Sequence, residues 1–262
     1  MAENTEYNWM PGPSYLCRRR LVLKLLDQIG RGSVLEIGFG GGDLLERLSA
    51  KGYKGAGIDF SGDACRALLA RSEGKGFNFR ILAMTEAELA AWTEKFDIVM
   101  AFEVLEHIRD DREALARWHG LTAGGGHLLL SVPAHPEKYD DEDRAAGHIR
   151  RYGKEELRKK LSDAGFTVIK FYSYGYPMMN LAKKVRNFFA AKSAEKQATP
   201  EQRSLEIGKG LIFWRLGKYL FNDFTLFPAY LLQNLFLDSD LGGGYLVLAR
   251  RTDAGKPGTN HA

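Results

Sequence analysis

The segment Val34-Leu35-Glu36-Ile37-Gly38-Phe39-Gly40-Gly41-Gly42-Asp43-Leu44-Leu45 constrains the fold more than any other stretch of the chain. A short apolar run ends in an acidic residue, glycine stands at positions 38, 40 and 42, and a helix-forming pattern begins. That order predicts a strand whose carboxyl end opens onto a helix N-terminus. A side chain in the turn would keep a ligand away from the backbone, which is the mechanical reason for glycine there. The spacing is E-x-G-x-G-x-G. It departs from the G-x-G-x-x-G of a dinucleotide turn, because position 43 is Asp rather than Gly or Ala.

The alternation continues along the chain. Strand patterns fall at Ser33–Ile37, Gly55–Asp59, Phe77–Leu82, Phe96–Ala101, Gly126–Val132, Phe166–Tyr172 and Gly244–Ala249. Helical patterns lie at Tyr15–Ile29, Gly42–Ala50, Gly62–Ser72 and Arg112–Leu121, and another starts at Lys154. Short apolar strands separated by helices predict an α/β fold: a Rossmann-like, mainly parallel sheet covered on both faces. The roughly seventy residues before the last strand are too long for a bare connection and must hold structure of their own. The expected organisation is an N-terminal lid and helix over 1–32, a core over 33–175, a helical and aromatic-rich insert over 176–241, the last strand at 242–251, and a disordered tail over 252–262.

Two further patterns follow the glycine turn. Gly57-Ile58-Asp59-Phe60-Ser61 ends the second strand in a carboxylate, 21 residues beyond Gly38. That is about where a doubly wound fold places an acid for two ribose hydroxyls. Ser61 suits a helix N-cap. Phe96-Asp97-Ile98-Val99 then leads into Glu103-Val104-Leu105-Glu106-His107. Taken together, E-x-G-x-G-x-G, G-x-D-x-S and F-D-x-V-x-x-x-x-V-L-E-H make residues 34–132 resemble a class I S-adenosylmethionine (SAM)-dependent methyltransferase of the broad ubiquinone-methyltransferase-like type. The resemblance implies a seven-stranded sheet with an antiparallel last strand, and methyl transfer that leaves S-adenosylhomocysteine (SAH). It implies cofactor contacts from Glu36, Gly38, Phe39, Gly40, Asp59, Phe60, Met84 and Phe102. A dinucleotide site or a vestigial ligand loop is the alternative reading of the glycines.

Methyl transfer asks the protein for orientation and, with a hydroxyl acceptor, for removal of a proton. His135, just past the fifth strand, and His148 are the candidate bases; each also fits an ordinary turn residue. If the chain turns helical at Glu103, then Glu103, Glu106 and His107 share a face. With His135 or His148 they would suit a divalent metal, and they suit a bracing role over the cofactor loop equally well. The expectation is no metal. The charged segment Glu137–Arg144 reads as a flap.

The flanks Trp9-Met10-Pro11-Gly12-Pro13-Ser14-Tyr15 with Arg18-Arg19-Arg20, and S-V-P-A-H-P…G-H-I-R-R-Y-G-K-E-E-L over 131–157, resemble methyltransferases encoded among bacterial polysaccharide and lipid genes. That resemblance places Tyr15, Arg19, His148, Arg151 and Tyr152 towards substrate, with the two arginines suited to a phosphate or carboxylate. The acceptor it implies is a small molecule, a glycan or a lipid-linked intermediate, methylated on oxygen or nitrogen. Between Lys183 and Lys218 nine Lys or Arg face three Glu, and Phe213, Trp214, Phe221, Phe224, Phe227 and Phe236 crowd the same insert. Three readings stay open: a substrate cap, contact with an anionic membrane surface, or a dimer interface.

Bulk properties narrow the partners. A net charge of +4 on 262 residues is too small to argue for nucleic acid, which counts against a metal-assisted RNA methyltransferase. A SAM-binding scaffold without catalysis is the rival outside the enzyme class. Cys17 and Cys65 match no metal or disulfide spacing, which suits the reducing cytoplasm. No basic start followed by an apolar core marks a signal peptide. The expected location is cytoplasmic, or peripheral at the inner face of the membrane.

Overall fold

The structure is a computed structural model, and it describes residues 12–180, 225 and 227–252. Its seven strands are β1 Ser33–Ile37, β2 Lys54–Asp59, β3 Phe79–Ala83, β4 Phe96–Phe102, β5 Thr122–Pro133, β6 Phe166–Tyr174 and β7 Gly244–Arg251. They form one sheet in the order β3-β2-β1-β4-β5-β7-β6. β1 pairs in parallel with β2 on one side and with β4 on the other, and β4 pairs in parallel with β5. β7 runs antiparallel against β5, with Leu129 opposite Leu248. The strand order therefore reverses between β1 and β4, where an open α/β sheet leaves a crevice at the carboxyl ends. The α/β class and the antiparallel last strand match the expectation.

The helices are α1 Pro13–Ile29, α2 Asp43–Ala50, α3 Gly62–Ser72, α4 Glu86–Ala90, α5 Asp111–Leu121, α6 Asp141–Ala146, α7 Lys154–Asp163 and α8 Phe227–Asn234. Ser61 caps α3, its hydroxyl accepting from the Ala64 amide. Central strands carry uninterrupted apolar runs because both faces are covered. Leu35, Val99, Leu128 and Leu130 are fully buried, and Trp118 of α5 packs into the same core.

The chain divides into two compact units. One holds Val22–Tyr172 and the strand from Gly244, and so most of the sheet. The other holds the start of α1 up to Leu21 together with the stretch Ser173–Gly243. In the second unit Leu16, Cys17 and Tyr230 form a small core. Arg20 lies over the rings of Phe227 and Tyr230, at 5.3 and 4.9 Å from their centroids. Gln233 accepts the Gly175 amide at 2.8 Å.

Several expectations fall on residues that are not described. These are the lid before residue 12, residues 181–224 of the insert with Phe213, Trp214, Phe221 and Phe224, and the tail after Thr252. Among the described residues no helix is long and apolar enough to cross a membrane. The segment 137–144 corrects its expectation. It contains a short turn of 3-10 helix and then α6, fastened by a capping box between Asp140 and Asp143 and closed by left-handed Gly147. Its charges are capping groups and helix-face ions rather than the mark of a loose flap.

Candidate active site

The glycine turn is held at each residue, and the three alternating glycines serve different ends. The Gly38 amide donates to the Ile58 carbonyl at 2.8 Å. A Cβ at Gly38 would meet Val104 at 2.6 Å, and one at Gly42 would meet Leu68 at 2.6 Å. Those two glycines admit protein side chains. Only Gly40, with φ of 53°, has open space where its Cβ would stand. Exclusion of a ligand is therefore not what requires glycine at 38 and 42, where a side chain would collide with the protein itself.

Asp59, at the tip of β2, completes the turn. Its Oδ2 accepts the Gly40 amide at 2.8 Å and its Oδ1 the Ser61 amide at 2.9 Å. Glu36 is buried at the tip of β1, and Phe102 is buried at the tip of β4. Phe60 is 87% exposed beside Asp59. The Met84 amide donates to the Asp59 carbonyl, which brings the end of β3 to the same rim.

Past β4 and β5 the backbone is strained. Glu103 (φ 56°) and His135 (φ 66°) are the two non-glycine residues in the left-handed region among those described. Such strain costs about 1–3 kcal/mol per residue and persists where surrounding bonds over-determine it. Glu103 donates its amide to the Ser131 carbonyl, and its carboxylate accepts the Ser131 hydroxyl at 2.7 Å. His135 donates its amide to the Tyr152 carbonyl, and its Nδ1 lies 3.4 Å from Glu137.

The chain does not turn helical at Glu103. The 3-10 turn begins at Leu105, so the expected shared face of Glu103, Glu106 and His107 does not form. Glu106 and His107 instead meet His148, with ligand-type atoms within 4.8 Å of one another. His148 Nε2 lies 3.7 Å from Glu106, and its Nδ1 is 2.9 Å from Asp143. Asp143 also accepts Arg151 Nε at 2.7 Å. Burial opposes ionisation of Asp143, but the bonds from Arg151 and His148 outweigh it and hold its pKa below the usual carboxylate value. An ionised Asp143 only accepts, so the Nδ1 of His148 carries the proton. His107 Nδ1 faces the Gly147 carbonyl at 3.0 Å.

Two substrate candidates prove to be internal braces. Tyr152 is fully buried, and its hydroxyl donates to Asp111 at 2.9 Å, so it cannot face a substrate. Burial, then the Asp111 charge, raise the Tyr152 pKa. Asp111 also takes Arg150 and Lys160, at 2.9 and 2.8 Å. Burial works against its ionisation, and the bonds from Lys160 and Tyr152 more than offset that, so its pKa is lowered. Arg151 is spent on Asp143 and the Ala134 carbonyl. Tyr15 and Arg19 belong to the second unit, where the guanidinium of Arg19 lies 5.8 Å from the Tyr15 ring centre.

The sequence reading missed Ser131, Asp143 and Leu68, which stand in none of the three motifs, and it gave Val104, a motif residue, no role against Gly38.

Residues 9–170 match a family described as a methyltransferase domain. A curated relative, the ubiquinone biosynthesis O-methyltransferase of Saccharophagus degradans, is 29% identical over 114 residues, which are 43% of this chain and 48% of the relative. The chain thus spans about half of that relative's length. Among solved structures, the N-methyltransferase NodS of Bradyrhizobium japonicum, in complex with SAH, is 23% identical, with a TM-score of 0.52 over 65% of this chain and 87% of its own. The [4+2]-cyclase SpnF is 17% identical, with a TM-score of 0.59 over 95% and 84% of the two chains. These likenesses concern the fold, and the cyclase shows that one fold carries more than one reaction. The family match covers well over half of the chain and contains all three motifs, and therefore the chain belongs to the methyltransferase-domain family, of the class I, SAM-dependent kind.

Proposed function

We propose that the chain transfers a methyl group from SAM to an oxygen or nitrogen of a small molecule, glycan or lipid-linked intermediate. The observation that carries the reading is the Asp59 carboxylate drawn onto the Gly40 amide at the rim of the parallel strands. The residues fit the donor. Gly40 offers open space against the backbone, the Asp59 carboxylate would accept from ribose hydroxyls, and exposed Phe60 offers an aromatic face beside them.

SAM supplies a methyl group on a sulfonium, which needs no further activation. The acceptor must then be held in line and, if it is a hydroxyl, relieved of its proton. With SAM bound, a hydroxyl acceptor would give up its proton to a base of this chain as it takes the methyl group, the electron pair of the broken carbon–sulfur bond staying with the SAH that leaves. We assign His135 to that step. It stands just past the tip of β5 in a strained conformation, with the Glu137 carboxylate 3.4 Å from its Nδ1. His148 has a carboxylate facing each ring nitrogen, so its role is to hold the 143–151 segment against Glu106.

Calorimetry with SAH tests the donor site, and conversion of SAM to SAH with cell extract as acceptor source tests transfer. No heat with SAM or SAH on folded protein would overturn the reading. Binding without turnover in any extract would favour a non-catalytic SAM-binding protein.

A further inference from the structure

We propose that Arg71 is a positioning residue for donor binding, holding the glycine turn in its ligand-ready form from the far end of α3. Its Nη2 donates to the Gly41 carbonyl at 2.5 Å and lies 3.3 Å from Glu46 of α2. Leu68, three residues earlier and on the same helix face, fills the place a Gly42 side chain would take. The Gly42 amide donates to the Phe39 carbonyl at 3.0 Å. Both ends of the Gly41–Gly42 peptide are therefore pinned, the carbonyl by Arg71 and the amide by the turn itself.

The Gly40 amide donates to Asp59 of β2, which also holds the Ser61 amide at the head of α3. The turn is thus tied to both ends of α3, through Asp59 to its cap and through Arg71 to its last turn. A run of glycines has many accessible conformations, so an unpinned turn spends much of its time in forms that do not bind. Apparent affinity falls by the fraction of chains in the competent form. The Glu46 contact is a half-exposed ion pair and adds little.

The inference rests on the donor-site reading, and its test separates the two. Parent, Arg71→Met and Arg71→Lys proteins are compared by SAH calorimetry, thermal melting and amide hydrogen exchange. Arg71→Met is expected to weaken SAH binding about tenfold and to speed exchange of residues 38–44, with β4 exchange unchanged. Arg71→Lys keeps one donor for the carbonyl and should recover most of the affinity. SAH affinity in Arg71→Met within twofold of the parent would overturn the proposal while leaving the donor site standing. Equal losses for Met and Lys, or faster exchange throughout the sheet, would also overturn it. A parent that binds no SAH would sink the donor-site reading and this inference with it.

Discussion

The main-chain amide of Gly40 donates to the Asp59 carboxylate at 2.8 Å, across 19 residues of sequence. The other carboxylate oxygen takes the amide of Ser61, so one side chain ties the glycine turn to the head of α3. The turn's conformation and the acid's orientation fix each other.

Asp59→Asn tests this tie. The amide keeps the size but turns an NH2 towards one of two N–H donors. One charge-assisted hydrogen bond is lost, about 2 kcal/mol. SAH affinity should drop at least tenfold, with a fall of several degrees in melting temperature. Calorimetry beside a thermal melt measures both, and unchanged affinity would refute the assignment of Asp59.

Gly40 and Gly42 should separate binding from stability. Gly42→Ala drives a methyl group into Leu68 and needs a left-handed alanine, so it should cost about 2–3 kcal/mol of stability. Gly40→Val pays the conformational term but meets open space. It should fold, yet lose SAH binding to a side chain where the ligand approaches. Undiminished affinity in Gly40→Val would count against the site.

His135→Ala should slow SAM turnover with acceptor-bearing extract by about a hundredfold while changing SAH affinity little, as loss of a general base does. Comparable losses in both would make it a structural histidine. A chelator should leave turnover unchanged, although the Nδ1 bonds of His107 and His148, to Gly147 and Asp143, leave each Nε2 able to take a metal. A loss restored by adding a divalent metal would assign that cluster to metal binding.

Acid should unfasten the loops around the rim. Asp111 and Asp143 both have folded pKa values below their unfolded ones. The stability they contribute is present above the unfolded value of about 3.9 and is lost as pH falls through the lower folded values. Asp111→Asn should therefore lower stability at neutral pH and flatten its decline below about pH 4. A parent and a variant with parallel acid limbs would contradict this.

Tyr152→Phe removes only the hydroxyl that Asp111 accepts, and Arg150 and Lys160 remain on that carboxylate. Stability should fall by about 1 kcal/mol with SAH affinity and turnover unchanged. A specific loss of turnover would return Tyr152 to the substrate side.

The strands, their order along the chain and the glycine turn were legible because they depend on local rules. Apolar runs of strand length, Gly at alternate positions and Ser61 before a helix each act within a few residues. The parts misread were those where neighbours in sequence part company in space. Glu103 looked like one member of a helical trio with Glu106 and His107. Its left-handed backbone sends it to Ser131, 28 residues on. Tyr152 looked accessible beside two arginines, yet a buried acid 41 residues before it claims its hydroxyl.

Residue order alone therefore settled the class of sheet, the glycine turn and the family, since spacing and side-chain volume suffice for those. Packing decided which glycine has open space beside it, which histidine is wired between two carboxylates, and which arginine bonds the turn. Those outcomes depend on contacts between distant segments, whose directions are set when helices and strands dock and not by the residues beside them.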